Sequence, residues 1–88
     1  MDARTLLRAA YEVHLEQGGA RGFPAGTALD MSAAAAKAGV IPGTPPYDTA
    51  VDRLEREETI EPNPITASTV GGTHYLVTER GRRMLGLD

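Results

Sequence analysis

Two histidines, twelve carboxylates, nine cationic side chains and no cysteine are the groups with which this 88-residue chain could do chemistry. Their spacing points away from catalysis. His14 lies in a stretch of helical period and His74 in a β-type run. His14 borders an apolar stripe, a more ordinary place for a satisfied boundary residue than for a base. The carboxylates show no spacing that demands acid–base work, since any acidic helix produces close pairs. No phosphate loop of the G-x-x-x-x-G-K-S/T type, no H-E-x-x-H and no G-x-S-x-G is present. The absence of cysteine excludes disulfides, thiolate zinc sites and cysteine nucleophiles. Metal ligands are not clustered. The chain therefore reads as a non-enzyme with no metal and no cofactor.

Charge patterning carries more information. Between Asp48 and Glu61 stand six acidic residues (Asp48, Asp52, Glu55, Glu57, Glu58, Glu61) and two basic ones, Arg53 and Arg56. That segment carries -4; the remainder has seven basic and six acidic residues, hence +1, which together give the net -3. This is not the basic field that draws most proteins to nucleic acid.

The elements that must position these groups follow from periodicity. Residues 3–17 predict a first helix, with Leu6, Leu7, Ala10 and Val13 inward, His14 at the margin, and Arg4, Arg8, Glu12 and Glu16 toward water. Gly18 and Gly19 end it. Residues 18–26 form a glycine-rich loop with a short extended piece around Phe23. A second helix starts near Thr27, through a capping box, or at Asp30 as its own cap. Leu29, Ala33, Ala36 and Val40 are its expected apolar stripe, and Gly39 its end. A third helix runs from Pro46 to Glu57 or Glu58, begun by Thr44 and two prolines. At 100° per residue, Ala50, Val51 and Leu54 fall within about 60° of Tyr47, so these four face inward. Thr49, Asp52, Arg53 and Arg56 occupy the opposite face. Residues 65–70 and 73–78 are β-type runs around a Gly71-Gly72 turn. Residues 79–85 predict a short last helix capped by Thr78. One domain over residues 1–88 is expected, since so short a chain closes around one core.

Two stretches carry a family resemblance. Residues 50–61, AVDRLEREETIE, look like a recognition helix running into a first wing strand; residues 75–85, YLVTERGRRML, look like a second wing strand and closing helix in a Tyr-x-x-Thr-x-x-Gly-x-x-x-Leu pattern. The chain thus resembles the winged helix-turn-helix domains of MarR-like and PadR-like bacterial transcriptional regulators. Glu58 stands where the family usually has glycine, Thr59 where it has leucine, and the turn before the third helix is longer than usual.

The resemblance implies an α+β fold: a three-helix core, a two-stranded hairpin wing over 65–78 and a short C-terminal helix. It also implies binding of double-stranded DNA, with the third helix in the major groove. By residue, Thr49, Asp52 and Arg53 would meet base edges and Arg56 phosphate. Thr44 and the amides after it would hold a phosphate at the helix start. Thr69, Thr73 and His74 would form the wing contacts, and Arg80, Arg82 and Arg83 would meet flanking phosphates. A competing expectation is a module that docks a basic protein partner through the acidic third helix. A negative third-helix face discriminates in favour of the protein partner. The chain would act as a monomer or as a homodimer through the first helix, where Leu7, Tyr11 and Leu15 are the expected exposed apolar residues. No run approaches the ~20 apolar residues of a membrane span, and no signal peptide is read, so a cytoplasmic protein is expected.

Overall fold

The computed structural model describes residues 2–64 and 75–87. Four helices and a three-stranded antiparallel sheet are built in the order α1 (Ala3–Glu16), β1 (Ala28–Leu29), α2 (Met31–Ala38), α3 (Pro45–Arg56), β2 (Ile60–Pro62), β3 (Tyr75–Val77) and α4 (Glu79–Met84). It is a small α+β fold.

The first helix forms as its periodicity dictates. Asp2 caps it, its carboxylate accepting from the Arg4 amide, and Leu6, Leu7, Ala10 and Val13 are buried. Leu7 is fully buried, so it offers nothing to a second copy; Tyr11 and Leu15 are each only partly exposed. Of the three residues expected to be exposed on α1, the structure thus leaves two, Tyr11 and Leu15, partly open to water. Position 7 belongs to the inner stripe set by Leu6, Ala10 and Val13, and the core claimed it.

The glycine-rich loop does not contain an extended piece at Phe23. Phe23 adopts a left-handed backbone, φ 52°, and its ring is fully buried. A bulky residue there is an outlier on steric grounds. Aromatic packing offsets it: the ring sits 5.1 Å from Tyr11 and 5.2 Å from His14, centroid to centroid. His14 Nε2 donates to the Ala20 carbonyl at 2.9 Å, the satisfied boundary position its sequence context suggests.

After the loop the chain corrects two further expectations. Thr27 is no helix cap; its hydroxyl donates to the Pro24 carbonyl, and Ala28–Leu29 form a strand instead. Asp30 is the cap, accepting from the Ala33 amide at 3.0 Å. With the helix starting at Met31, its buried residues are Met31, Ala34 and Ala35, not Ala33 and Ala36. An all-alanine run carries no pattern from which to read that phase. Gly39, at φ 81°, ends α2 as expected. Lys37 and Glu16 link α2 to α1 at 2.6 Å.

The sheet order is β1-β3-β2, with Ala28 opposite Leu76 and Ile60 opposite Val77. β3 is thus central, and Val77 is fully buried beneath the helices. Pro62 is tolerated because, among the described residues, β2 is an edge strand. Of the two runs expected to form the hairpin, residues 65–70 and the Gly71-Gly72 turn lie outside the described residues. Among the described residues the strand that pairs with β3 on this side is the earlier Ile60–Pro62.

The corner that closes the fold explains the glycine of the Tyr-x-x-Thr-x-x-Gly pattern. Thr78 caps α4 by accepting from the Gly81 amide at 3.2 Å. A Cβ on Gly81 would lie 2.4 Å from the Thr59 carbonyl oxygen and 2.8 Å from a Val77 methyl, so only glycine lets α4 approach. Thr59 is buried where an aliphatic residue is the simpler choice. Its hydroxyl is satisfied by the Leu54 carbonyl at 2.8 Å. Glu58 takes the left-handed backbone, φ 58°, at the position that resembles a family glycine.

Candidate nucleic-acid interface

The third helix begins at Pro45, one residue earlier than expected, because proline suits the first helical positions. Ala50, Val51 and Leu54 are buried, and Tyr47 packs half-buried against the same core. This fixes the opposite face. Thr49, Asp52, Arg53 and Arg56 are all exposed, in the grouping their spacing predicts. Neither the glycine-rich loop nor α4 covers them.

The charges on this face are paired within the helix or with its C-cap. Arg56 Nη2 lies 2.7 Å from Asp52, and Arg53 Nε donates to Glu57 at 3.4 Å. Both arginines remain largely exposed, at 78% and 70%. Glu55 is turned aside: the Tyr75 hydroxyl donates to its Oε1 at 2.7 Å, tying the flank of α3 to the central strand. Burial first, then the Glu55 carboxylate and nearby Tyr47, push the Tyr75 phenol up to about 12. The Tyr47 phenol is raised as well, by burial and then by Asp48. Over residues 48–61 the six acids still outnumber the two arginines.

The helix start does not provide the expected phosphate site at Thr44. Pro45 and Pro46 have no amide hydrogen, the Asp48 amide is used by the Thr44 carbonyl, and the Thr44 hydroxyl donates to Ile41. Of the early amides in this turn, only that of Tyr47 is left to meet an anion. A positive helix end needs N–H groups to deliver it, and this one has lost them.

The three expected arginines of α4 differ in role. Arg80 is exposed and lies 3.5 Å from Glu58, beyond the C-terminal end of α3. Arg82 is committed inward. Its Nε donates to the Gly22 carbonyl at 2.8 Å, Nη1 to both Glu79 oxygens, and Nη2 to the Leu87 carbonyl at 3.3 Å. It holds the glycine-rich loop and the chain end against α4, so it is not a phosphate contact. Arg83 is exposed on α4. Thr69, Thr73 and His74 lie outside the described residues.

Two features have no counterpart among the expected site residues. One is the Tyr75–Glu55 bond, visible in the sequence only as a tyrosine in a β-type run. The other is Ile41, 70% exposed in the turn that leads into α3. Among the described residues, no helix is long and apolar enough to cross a membrane and no histidine, aspartate and glutamate cluster could hold a metal ion. Compared with family models, curated proteins and solved structures, the chain matches none.

Proposed function

We propose that the chain is a winged-helix module that binds duplex DNA through the outer face of α3. The carrying observation is that Thr49, Asp52, Arg53 and Arg56 stand exposed together on that face while its opposite side is locked in the core. The element order and the three-stranded sheet are compatible with such a module.

The ion pairs on α3 do not disable this surface, and magnitudes decide the point. An exposed pair one helical turn apart is worth about 0.3–0.5 kcal/mol. A well-placed arginine on guanine is worth about 1–3 kcal/mol of discrimination. Releasing Arg53 from Glu57 therefore costs less than a guanine contact returns. Asp52 can accept from a cytosine amine, and Thr49 suits either base type. Arg56 and Arg80 serve phosphates, with Arg83 flanking. So few cations give modest, salt-sensitive affinity: three released counterions correspond to a log–log salt slope of roughly -2.7.

A second reading, a module for a basic protein partner, is favoured by one observation, the surplus of acid over residues 48–61. Fluorescence anisotropy with several duplex pools at low salt separates the two. Binding that weakens with salt and with Arg53→Ala supports the DNA reading. No binding to any pool transfers the α3 face to a protein partner.

A further inference from the structure

The glycine-rich loop, residues 18–26, is closed by side chains from outside it more than by its own backbone. Its backbone supplies one long bond inside the loop, Phe23 amide to Ala20 carbonyl at 3.4 Å, and one at its end, Thr27 amide to Pro24 carbonyl at 3.0 Å. Gly18, Gly22 and Gly26 are left-handed, and Phe23 follows Gly22 into the same region, where a bulky residue is disfavoured. Phe23 is also the one residue of the loop that is buried. Two helices hold this segment down. From α1, His14 Nε2 donates to the Ala20 carbonyl at 2.9 Å, and the His14 ring leaves no room for a Cβ on Gly19. From α4, Arg82 Nε donates to the Gly22 carbonyl at 2.8 Å, while its other nitrogens hold Glu79 and the Leu87 carbonyl. The Phe23 ring lies against Tyr11 and His14 and fills the core as a single plug.

We propose that residues 18–26 are a strap that opens as one unit while the helical core stays folded, with Arg82 as its latch. One plug, few internal backbone bonds and a disfavoured backbone at the plug itself are the marks of a segment that opens below the cost of global unfolding. Gly18 and Gly26, at its two ends, can absorb the rotation. Opening withdraws Phe23 and bares the Tyr11 and His14 rings it covers. Because Arg82 also holds the Leu87 carbonyl, unlatching frees the end of α4 together with the strap. The strap does not cover Thr49, Asp52, Arg53 or Arg56, so this device is independent of what α3 binds.

Native-state amide hydrogen exchange of the full chain at several low urea concentrations is the test. The Phe23 and Thr27 amides should exchange through an opening that urea hardly changes, because little surface is exposed, whereas Ala10 and Val13 in α1 should follow the steep urea dependence of global unfolding. Val51→Ala weakens the core beneath α3, so it should speed Ala10 and Val13 about tenfold and leave Phe23 and Thr27 unchanged. Arg82→Ala removes a charge-assisted bond to the strap and should speed Phe23, Thr27 and Leu87 about tenfold. Should that variant not fold, Arg82→Lys, which keeps a charge beside Glu79 and loses the forked contact, should speed the same amides by a smaller factor. If Phe23 and Thr27 share the urea slope of α1, or speed up with Val51→Ala as α1 does, the strap is part of the core and the proposal is overturned. If the Arg82 variants leave strap exchange unchanged, Arg82 is not its latch.

Discussion

Arg82 and Arg53 both pair with a carboxylate close by in sequence, Glu79 on the same helix and Glu57 at the C-cap, yet they belong to different kinds of surface. Arg82 has its side chain 22% exposed and bonds two carbonyls and a carboxylate, one of those carbonyls sixty residues away in sequence. Arg53 is 70% exposed and makes one long contact, to Glu57 at the C-cap of its helix. The α4 corner spends its polar groups on closing the fold. The α3 face keeps its groups in cheap, reversible pairs. An arginine's usefulness to a ligand thus depends less on its charge than on what it must release.

The largest effect should come from the corner. Gly81→Ala places a methyl 2.4 Å from the Thr59 carbonyl and 2.8 Å from Val77. In an exposed helix the same exchange would be stabilising by up to about 1 kcal/mol. Here overpacking against backbone reverses the sign, and a loss of about 3 kcal/mol in urea unfolding is expected. A neutral or stabilising result would mean that α4 can slide away, and the contrast between the two regions would fail.

Arg82→Ala comes next. It removes charge-assisted bonds and leaves the Gly22 and Leu87 carbonyls to find other donors. A loss of about 2 kcal/mol is expected, against under 0.5 kcal/mol for Arg53→Ala. Both are read from the same denaturant curves. Equal losses would erase the distinction drawn from exposure and partners.

These two regions also show what the sequence disclosed. Helices α1 and α3 were legible because Leu6, Leu7, Ala10 and Val13, and then Ala50, Val51 and Leu54, repeat with helical period. The phase of α2 was hidden by its alanines. β1 was hidden because a two-residue strand has no period; it exists only through its pairing with β3. The outer face of α3 followed from its inner face. The commitment of Arg82 could not be foreseen, because its partner Gly22 lies in a loop whose path depends on burying Phe23. Local pattern shows which side of a helix is wet, but not which wet residues are already occupied by distant backbone.

Binding gives a comparison of intermediate size. Arg53→Ala should weaken duplex binding about fivefold to tenfold, the lower part of the range for an arginine reading a base. Arg4→Ala changes net charge equally, and Arg4 forms no ion pair with a described residue, so it controls for charge alone. It should weaken binding about twofold or less. Equal effects in anisotropy titrations would mean that DNA senses the chain's overall field and not the α3 face.

The smallest effect lies where the two regions meet, at the bond from Tyr75 to Glu55. The phenol is an acid whose folded value, about 12, lies above its ordinary 10. From about pH 10 to 12 the folded chain keeps a proton that the unfolded chain has released. Stability from this group is therefore full below pH 10 and is lost as pH rises to 12. The side chain is only partly buried, so solvent screening limits the loss to about 1 kcal/mol. Tyr75→Phe should flatten this alkaline fall. Glu55→Gln separates the causes: burial is the first of them, so absorbance titration should show the phenol dropping only part of the way toward 10. A full return to 10 would make Glu55 the main cause, and would turn the link between strand and helix from a packing contact into an electrostatic one.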